Sequence, residues 1–341
     1  MAQHFLMSAK ARTLSPLEVA QWTDEKAEME FAMIRWPDTN GAPVCPKCGS
    51  VTVYEMARTA TCPKWRCARC RKDFSLTSGT MFHSRKMTIK KYLIGLASFV
   101  NEVKGKSALA LGRDIDVQYK TAFVLEHKLR EAMGHEIHDV KIGGEGKVAE
   151  VDGAYFGGYV KQENEKADRV DRRLAVNQTG KRQCVVAIRE RGGPTAVRTG
   201  ASEESALAFI RSTVNKGTVM HADESGAWDS LHARFEMKRV NHSERFFGPD
   251  EACSNNAESF FSRMRRAEIG HHHHIAGPYL NRYAREMAFR EDHKADDNRS
   301  QFRRVGALVA THRPSIDFCG YWQRANRSDN GPKGDAALLA A

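Results

Sequence analysis

Three acidic residues have the types and positions that suit metal-dependent chemistry. Asp152 lies in the run 147–158, which predicts a strand that ends in a glycine turn; Asp223 ends a second predicted strand, 218–223, and Glu258 lies in a predicted helix. Sites in open α/β sheets form at strand ends, and carboxylates are the ligands that Mg²⁺ prefers. Two ions about 4 Å apart contact both the attacking and the leaving oxygen of a phosphodiester. The acids therefore predict a two-metal nucleic-acid site; the alternative is three ordinary surface acids among the 42 in the chain.

A second group of residues suits a structural metal. Half of the eight cysteines form two Cys-x2-Cys pairs: Cys45, Cys48, Cys67 and Cys70. Four thiolates at this spacing are typical of a zinc ribbon with a closed tetrahedral shell, and Gly49 follows the first pair, where a knuckle needs permissive backbone. Cys62 lies between the pairs and competes as a ligand, but it has no Cys-x2-Cys partner. The other interpretations are a redox pair or a chance spacing.

Composition limits the classes of protein that these residues serve. The chain has 341 residues, enough for two or three domains, and a net charge of +11 that favours a polyanionic partner, although a merely basic protein has the same composition. No apolar run approaches the roughly 18–20 residues that span a bilayer, and the N-terminus does not resemble a signal peptide. We therefore expect no membrane association and a cytoplasmic location, where clustered cysteines bind metal rather than form disulfides.

The N-terminal part contains predicted helices on both sides of the cysteines. Ser15 to Glu18 predicts a capping box with proline at the first helical position, in a helix that runs to about Trp36 and stops at Pro37. We assign residues 1–41 to this helical segment and 42–75 to the zinc ribbon. The segment 87–103 is apolar at helical spacing and predicts a packed helix.

The segment 107–133 matches a helix-turn-helix, the main feature of a predicted DNA-binding domain at 87–140. A short helix, a break near Gly112 and a longer helix from about Asp116 fit that motif, in which the N-terminal residues of the second helix face the base edges of the major groove. Those residues are Gln118, Tyr119 and Lys120. The alternative is an ordinary pair of packed helices; the upstream zinc ribbon and the basic charge favour DNA.

A glycine-rich linker, 142–147, opens a larger predicted domain at 147–295. We predict these elements: strands 147–152, 183–190, 195–198, 218–223 and 238–240, and helices 202–214, 225–235 and the one that contains Glu258. The charged stretch 161–182 is either a hairpin extension that contacts DNA or a solvated loop. Residues 296–341 form a C-terminal segment, and we expect its final twenty residues to be disordered.

Several ordered blocks of this chain resemble one known family. These blocks include Cys45-Pro-Lys-Cys48-Gly49, Arg66-Cys67-Ala-Arg-Cys70, Val151-Asp152 with Gly157-Gly158, His221-Ala-Asp223-Glu224, and Glu258-Ser-Phe. The chain resembles bacterial insertion-sequence transposases of the acidic-triad superfamily, in the ISXO-two-like group with an N-terminal zinc ribbon. The resemblance covers residues from about 30 to 290.

The resemblance implies an α/β fold in which a zinc ribbon and a helix-turn-helix precede a ribonuclease-H-like catalytic core. It implies a Mg²⁺-dependent DNA transposase that cleaves element ends and joins them to target DNA. Asp152, Asp223 and Glu258 would bind two Mg²⁺ ions, for which Mn²⁺ substitutes; Arg265, two helical turns after Glu258, would contribute to catalysis, and one structural Zn²⁺ would lie in the ribbon. The implied partners are double-stranded DNA, both element ends and target, and further copies of the chain in an oligomer on DNA. When bound, the protein would associate with the bacterial nucleoid.

This chain departs from the family pattern at a few positions. The acid that often follows the first aspartate is replaced by Gly153, and the His-Thr-Asn block before the glutamate appears as Cys253-Ser254-Asn255. The histidines 271–274 correspond in part to paired histidines of the family. Because no metal-binding carboxylate is lost, we expect an active transposase. A DNA-binding regulator with an inactive transposase-like domain, or a nuclease that cuts without joining, are the competing hypotheses.

Overall fold

The structure is a computed structural model. It describes residues 4–59, 62–157, 163, 165–170, 182–240, 253–321, 327–328 and 331–332. The chain divides into two compact units. The first comprises Met1–His135 together with His293–Ala341, and the second comprises Glu136–Asp292.

The first unit is mainly helical and carries a small sheet. Its elements are α1 Pro16–Ala20, α2 Asp24–Arg35, β1 Val53–Thr59, β2 Cys62–Cys67, β3 Asp73–Ser75, α3 Ile89–Asn101, α4 Ala108–Asp114, α5 Tyr119–His138 and α9 Asn298–Thr311. Short 3₁₀ turns occupy 5–7, 9–11 and 37–39.

The first predicted helix is in fact two helices, which corrects our interpretation of the N-terminal segment. Ser15 accepts the N–H of Glu18 and caps α1, but a second cap follows at Thr23, whose hydroxyl accepts the N–H of Lys26 and begins α2. Capping residues stabilise a new helix start because they satisfy N–H groups that lack intrahelical partners. The helical segment does end at Trp36, as predicted.

The small sheet joins the helices through a buried arginine. Strands β1, β2 and β3 form an antiparallel meander. Arg35, at the end of α2, donates hydrogen bonds to the carbonyl oxygens of Ser75, the last residue of β3, and of Leu76, and its guanidinium lies 4.6 Å from the ring centroid of Trp36. Burial lowers the pKa of Arg35 to about 10. The guanidinium therefore satisfies buried carbonyl groups where the sheet ends.

The helix-turn-helix segment contains two helices, but its break lies later than predicted. Gly112 is helical, inside α4, and the chain turns at Asp116, whose φ is +50°. A Cβ at Gly112 would lie 3.1 Å from the carbonyl oxygen of Val117 and 3.5 Å from the Cβ of Ala122. Glycine is thus needed here for the close approach of the turn and of α5, rather than to end the helix.

Helix α9 belongs to the first unit although it lies near the end of the chain. It packs against α2 and α3, with Trp22 edge-on to Phe302 at 6.4 Å and Gly306 against Ile34. We predicted no helix within 296–341. Most of the charged stretch 161–182 and of the final twenty residues, for which we predicted a hairpin or loop and a disordered tail, lies outside the described residues.

The second unit is a five-stranded mixed sheet with helices on both faces. Its elements are β4 Val148–Phe156, β5 Gln183–Glu190, β6 Thr195–Gly200, α6 Leu207–Thr213, β7 Val219–Asp223, β8 Glu236–Val240, α7 Asn255–Ala267 and α8 Leu280–Asp292, with 3₁₀ helices at 204–206, 226–233 and 277–279 and a π-helical turn at 268–272. The strand order is β6-β5-β4-β7-β8. The pairs among β4, β5 and β6 are antiparallel, and those among β4, β7 and β8 are parallel.

The two faces of this sheet have different partners. One face carries Val151 and Ala222 and packs on the apolar side chains of Ile210 and Trp228. The other face is covered by α7 and α8. Because side chains alternate along a strand, Glu150 and Asp152 share the second face. The sheet therefore presents the first of the predicted acids towards the helix that carries Glu258.

Strand β4 is longer than predicted. We expected it to end at Asp152, but it continues to Phe156, paired with β5 up to Gln183. The antiparallel pairing of β4 with β5 continues past Asp152, whereas its parallel pairing with β7 ends at Val151. Asp152 therefore lies inside the first ladder and just beyond the end of the second. The sequence pattern does not predict the extra length because both Gly153 and Gly157 suggest a turn. Of these two glycines only Gly157 has a positive φ, and Gly153 is extended within the strand.

Candidate metal centres

The parallel pairing of β4 with β7 brings two of the predicted acids together. The register pairs Val151 with Ala222, so Asp152 and Asp223 are the next residues on adjacent strands and point to the same face. Neighbouring strands lie about 4.8 Å apart. Both aspartates are only partly exposed. This edge of the sheet therefore presents two neighbouring carboxylates.

The carboxylate of Asp223 is held in place by groups just after its strand. Its Oδ1 accepts the indole N–H of Trp228 at 2.7 Å and the backbone N–H of Ser225 at 3.2 Å. Arg239 on β8 donates to the carbonyl oxygen of Asp223 at 2.6 Å. Both side-chain hydrogen bonds use Oδ1, which orients Oδ2 as the oxygen that can bind a ligand.

The third acid is positioned by a buried carboxylate that sequence analysis did not identify. Glu150 is fully buried and accepts the backbone N–H groups of Asn256 at 2.7 Å and Ala257 at 3.1 Å, which belong to the first turn of α7. The amide of Asn256 also donates to Glu150, at 2.9 Å. A carboxylate at this point satisfies N–H groups that lack helical partners and interacts favourably with the helix dipole. Glu150 thus attaches the start of α7, the helix that carries Glu258, to β4, the strand that carries Asp152.

Arg191 and His221 complete this attachment. Arg191 donates to Glu150 at 2.9 Å and to Nδ1 of His221 at 3.0 Å, and the N–H of Cys253 donates to the same Nδ1 at 3.1 Å. Because the guanidinium of Arg191 and the N–H of Cys253 can only donate, Nδ1 of His221 is their acceptor in this arrangement. Burial, and then the positive charge of Arg191, lower the pKa of His221 accordingly. The residues before α7 are therefore held by the sheet.

Glu258 lies on the exposed side of α7, near its start. Its Oε1 accepts a hydrogen bond from the hydroxyl of Ser254 at 3.1 Å. Ser254 makes no cap to the helix backbone, and Glu150 performs that function instead. Arg265 is exposed on the same helix, two turns further on, and His271 and His272 end the π-helical turn that follows.

The electrostatic environment of Asp152 reflects several nearby acids. Burial, and then the charges of Asp223, Glu203 and Glu258, raise the pKa of Asp152 to about 7, although the N–H of Gly153 opposes this shift. Glu203 was not predicted as a site residue. It lies between β6 and α6, where no motif in the sequence marks it, and only the fold brings it to the other acids.

These residues suit a hard divalent cation. The donors are carboxylate oxygens, as Mg²⁺ and Mn²⁺ require, and their mutual repulsion is what a bound cation would relieve. Among the described residues, however, only the four cysteines have ligand atoms that all lie within 4.8 Å of one another.

The four predicted cysteines form a tetrahedral-type cluster. The sulfur of Cys45 lies 3.6 Å from that of Cys70, and the sulfur of Cys48 lies 3.6 Å from that of Cys67. Zn–S bonds of about 2.3 Å in a tetrahedron imply sulfur separations of about 3.8 Å. Cys62 is buried on β2 and is not part of the cluster. The donor set therefore fits a structural zinc.

Two equivalent turns shape this centre. The N–H of Gly49 donates to the carbonyl of Cys45 at 2.9 Å, and the N–H of Arg71 donates to that of Cys67 at 3.0 Å. Both turn residues have positive φ, +70° for Gly49 and +58° for Arg71. The N–H of Cys70 donates to the sulfur of Cys67 and lowers its pKa to about 6, which favours the thiolate that binds metal.

The predicted DNA-contact residues occupy the exposed start of α5. Gln118 precedes the helix, while Tyr119 and Lys120 are its first residues, and all three are exposed. Lys86 lines depressions beside Gln118 and beside Lys120. Further along, most of α5 from Leu125 onwards is buried. The first turn of α5 and the adjacent lysines are therefore its most accessible part for a polyanion.

The comparisons with protein families agree with this arrangement. Residues 144–292 match the ISXO2-like transposase domain, and residues 22–73 match the transposase zinc-ribbon domain. Together the matches span more than half of the chain. The chain belongs to the ISXO2-like transposases.

Membership of this family supports several functional properties of the chain. It supports a transposase role, a nuclease or transferase type of enzyme, structural zinc in the cysteine cluster, and DNA binding. No curated protein matches the chain significantly. Among the described residues, no helix has both the length and the apolar character needed to cross a membrane.

Proposed function

We propose that this transposase cleaves the ends of an insertion sequence and joins the freed 3′ ends to target DNA, with Asp152, Asp223 and Glu258 as the metal-binding acids. The observation that carries the proposal is the register of β4 with β7, which aligns the two aspartates on one face. The attachment of α7 by Glu150 supports it, because it joins the helix that carries Glu258 to the strand that carries Asp152.

In this proposal each acid has a defined part. Asp152 and Asp223 hold the divalent cations, and Glu258 completes their shell. Bound Mg²⁺ lowers the pKa of water and stabilises charge on phosphoryl oxygens. Trp228 and Ser225 keep the carboxylate of Asp223 oriented, which lowers the reorganisation needed when DNA binds.

The chemistry is two successive in-line displacements at phosphorus. In the first, a water oxygen bonds to the phosphorus at the element end, the bond to the 3′ oxygen breaks, and a 3′-hydroxyl is released. In the second, that 3′ oxygen bonds to a target phosphorus and displaces the target's own 3′ oxygen. The second step conserves the number of phosphodiester bonds, so it needs no external energy source.

Purified full-length protein, incubated with Mg²⁺, a labelled element end and a supercoiled target, tests the proposal. The wild type should yield joined product, while Asp152→Ala and Asp223→Ala should reduce joining about a thousandfold or more, because metal positioning contributes several kcal/mol to the transition state. End binding in a gel-shift assay should change only a few-fold, since affinity comes mainly from phosphate and base contacts.

Normal strand transfer by either alanine variant would refute the assignment of the acids. End binding without any cleavage or joining by the wild type would instead favour the DNA-binding regulator. Cleavage without joining would favour the nuclease.

A further inference from the structure

A fourth carboxylate lies beside the two strand acids. Glu203 is half-buried in the connection between β6 and α6 and directly precedes a 3₁₀ turn, 204–206. Its neighbour Glu204 is exposed. The side chains of the two glutamates therefore differ in environment although they are adjacent in sequence.

Glu203 occupies the space directly over Gly153. A Cβ placed at Gly153 would lie 2.5 Å from Cγ and 2.6 Å from Oε1 of Glu203. Gly153 follows Asp152, and its N–H donates to Oδ1 of Asp152 at 2.7 Å. The absence of a side chain at Gly153 thus makes room for a carboxylate next to Asp152.

Ser225 ties the same carboxylate to the second aspartate. Its hydroxyl donates to Oε2 of Glu203 at 2.9 Å, and its backbone N–H donates to Oδ1 of Asp223 at 3.2 Å. Oε2 of Glu203 is thereby held by a neutral donor, and Oε1 lies on the side of Gly153. Gly153, which follows Asp152 within β4, and Ser225, two residues after the end of β7, therefore fix the position of this side chain.

Within the part of the chain that the structure describes, no positive charge compensates Glu203. Among the described residues, its hydrogen-bond partner is the neutral Ser225, and the charged groups that act on it are the acids Asp223 and Glu204. A half-buried carboxylate beside like charges is unfavourable unless a cation is bound. A bound cation would therefore explain the position and the charge of Glu203, as it would for Asp152 and Asp223.

We infer that Glu203 is a further ligand of the divalent-cation site, acting through Oε1 either directly or through a bound water. The inference rests on the proposed function, because it assumes that Asp152 and Asp223 bind the cation. It adds Glu203 to that site because of where the fold places this residue, since no sequence motif marks it.

Calorimetric titration of the full-length chain with Mn²⁺, with zinc retained in the cysteine cluster and no other divalent cation present, tests the inference without any measurement of activity. Glu203→Gln keeps the size of the side chain and an acceptor for Ser225, but removes the charge. We expect it to weaken Mn²⁺ binding about tenfold, with the melting temperature of the zinc-loaded, Mn²⁺-free protein unchanged or raised because repulsion is relieved. Glu204→Gln removes the same charge from the adjacent exposed position and should bind Mn²⁺ as the wild type does.

A second variant perturbs the same contact without changing charge. Gly153→Ala should displace the Glu203 carboxylate and weaken Mn²⁺ binding. In a Glu203→Ala background the added methyl group has room, so Gly153→Ala should have little further effect on affinity. This non-additivity is the sign of a direct interaction between the two positions.

The controls separate the inference from the function on which it rests. If Asp152→Asn abolishes Mn²⁺ binding while Glu203→Gln and Gly153→Ala bind as the wild type does, Glu203 is no ligand but the proposed site stands. A lower melting temperature of zinc-loaded, Mn²⁺-free Glu203→Gln with unchanged affinity would assign Glu203 a structural role. If Asp152→Asn binds Mn²⁺ normally, or the wild type has no saturable site, both the inference and the proposed metal site are wrong.

Discussion

At the scale of single residues, the predicted acids differ in how they are supported. Asp223 is oriented by Trp228 and Ser225 through one of its two carboxylate oxygens. Glu258 has a lighter restraint, the hydroxyl of Ser254 on its own helix. A ligand on the exposed side of a helix can adjust when metal and DNA bind. The two aspartates would therefore define the position of the cations, and Glu258 would close the shell.

Arg265 has a role in our proposal that one substitution can test. It lies roughly 10 Å along the axis of α7 from Glu258, so it suits a phosphate near the scissile bond rather than the cations. Arg265→Ala should slow joining roughly tenfold through loss of one charged hydrogen bond, without changing the Mg²⁺ concentration for half-maximal rate. Arg265→Lys should retain most of the rate, because a point charge still meets a phosphate.

The neighbouring residue provides the matched control for this prediction. Arg266 is also exposed in the last turn of α7, but it projects about 100° away from Arg265 around the helix. Arg266→Ala should therefore join ends as the wild type does in the same strand-transfer assay. Joining by Arg265→Ala at the wild-type rate would show that Arg265 is one more solvated cation.

At the scale of elements, the attachment of α7 to β4 is the contact on which the proposed site depends. Glu150→Ala should lower the free energy of unfolding by about 3 kcal/mol or more, because it leaves the N–H groups of Asn256 and Ala257 and the charge of Arg191 without their partner. Chemical denaturation of the full-length chain measures this. Glu145→Ala, at an exposed position, should leave stability within about 0.5 kcal/mol. Equal stability of the two variants would contradict the role of Glu150.

The N-terminus of α9 gives a prediction with a defined pH dependence. Asp297 accepts hydrogen bonds from the hydroxyl of Ser300 and from Thr13, and these lower its pKa to about 2. Its Oδ1 also accepts the backbone N–H of Arg299 at 3.1 Å, so Asp297 caps the helix. Asp297→Ala should cost about 1 kcal/mol near neutral pH, measured by chemical denaturation.

The sign of the pH effect follows from the direction of that shift. Because the pKa of Asp297 is lower in the folded than in the unfolded chain, its ionised form stabilises the fold above about pH 4. That contribution is lost as pH falls towards 2. The difference in unfolding free energy between wild type and Asp297→Asn should therefore shrink over this interval; a difference that is constant with pH would assign the effect to shape alone.

At the scale of the whole molecule, zinc should stabilise one part of the chain selectively. Freshly purified protein should contain one Zn²⁺ per chain by elemental analysis, and Cys45→Ser should lose it. Small ribbons have too little core to fold without metal, so residues 42–75 should then lose protection in hydrogen exchange. The unit Glu136–Asp292 has its own core around Trp228 and should keep its protection. Zinc-free wild type with a protected ribbon would contradict this prediction.

Sequence alone determined the elements whose signals are local. The cysteine pairs predict the zinc ribbon because the ligands lie close together in each knuckle, and the family match agrees. The bounds of β5 and the end of α2 at Arg35, with Trp36 as its C-cap, also follow from local pattern and from Pro37. The resemblance, rather than periodicity, identified the transposase family.

Only the tertiary structure decided which distant residues meet. The length of β4 past Asp152 depends on its partner β5, and the cap of α7 comes from Glu150, far away in sequence, rather than from Ser254. The local sequence does not distinguish Glu203 from Glu204. What distinguishes Glu203 is that the loop between β6 and α6 places its side chain over Gly153. Strand pairing and helix docking are set by long-range burial, which a short window of sequence does not contain.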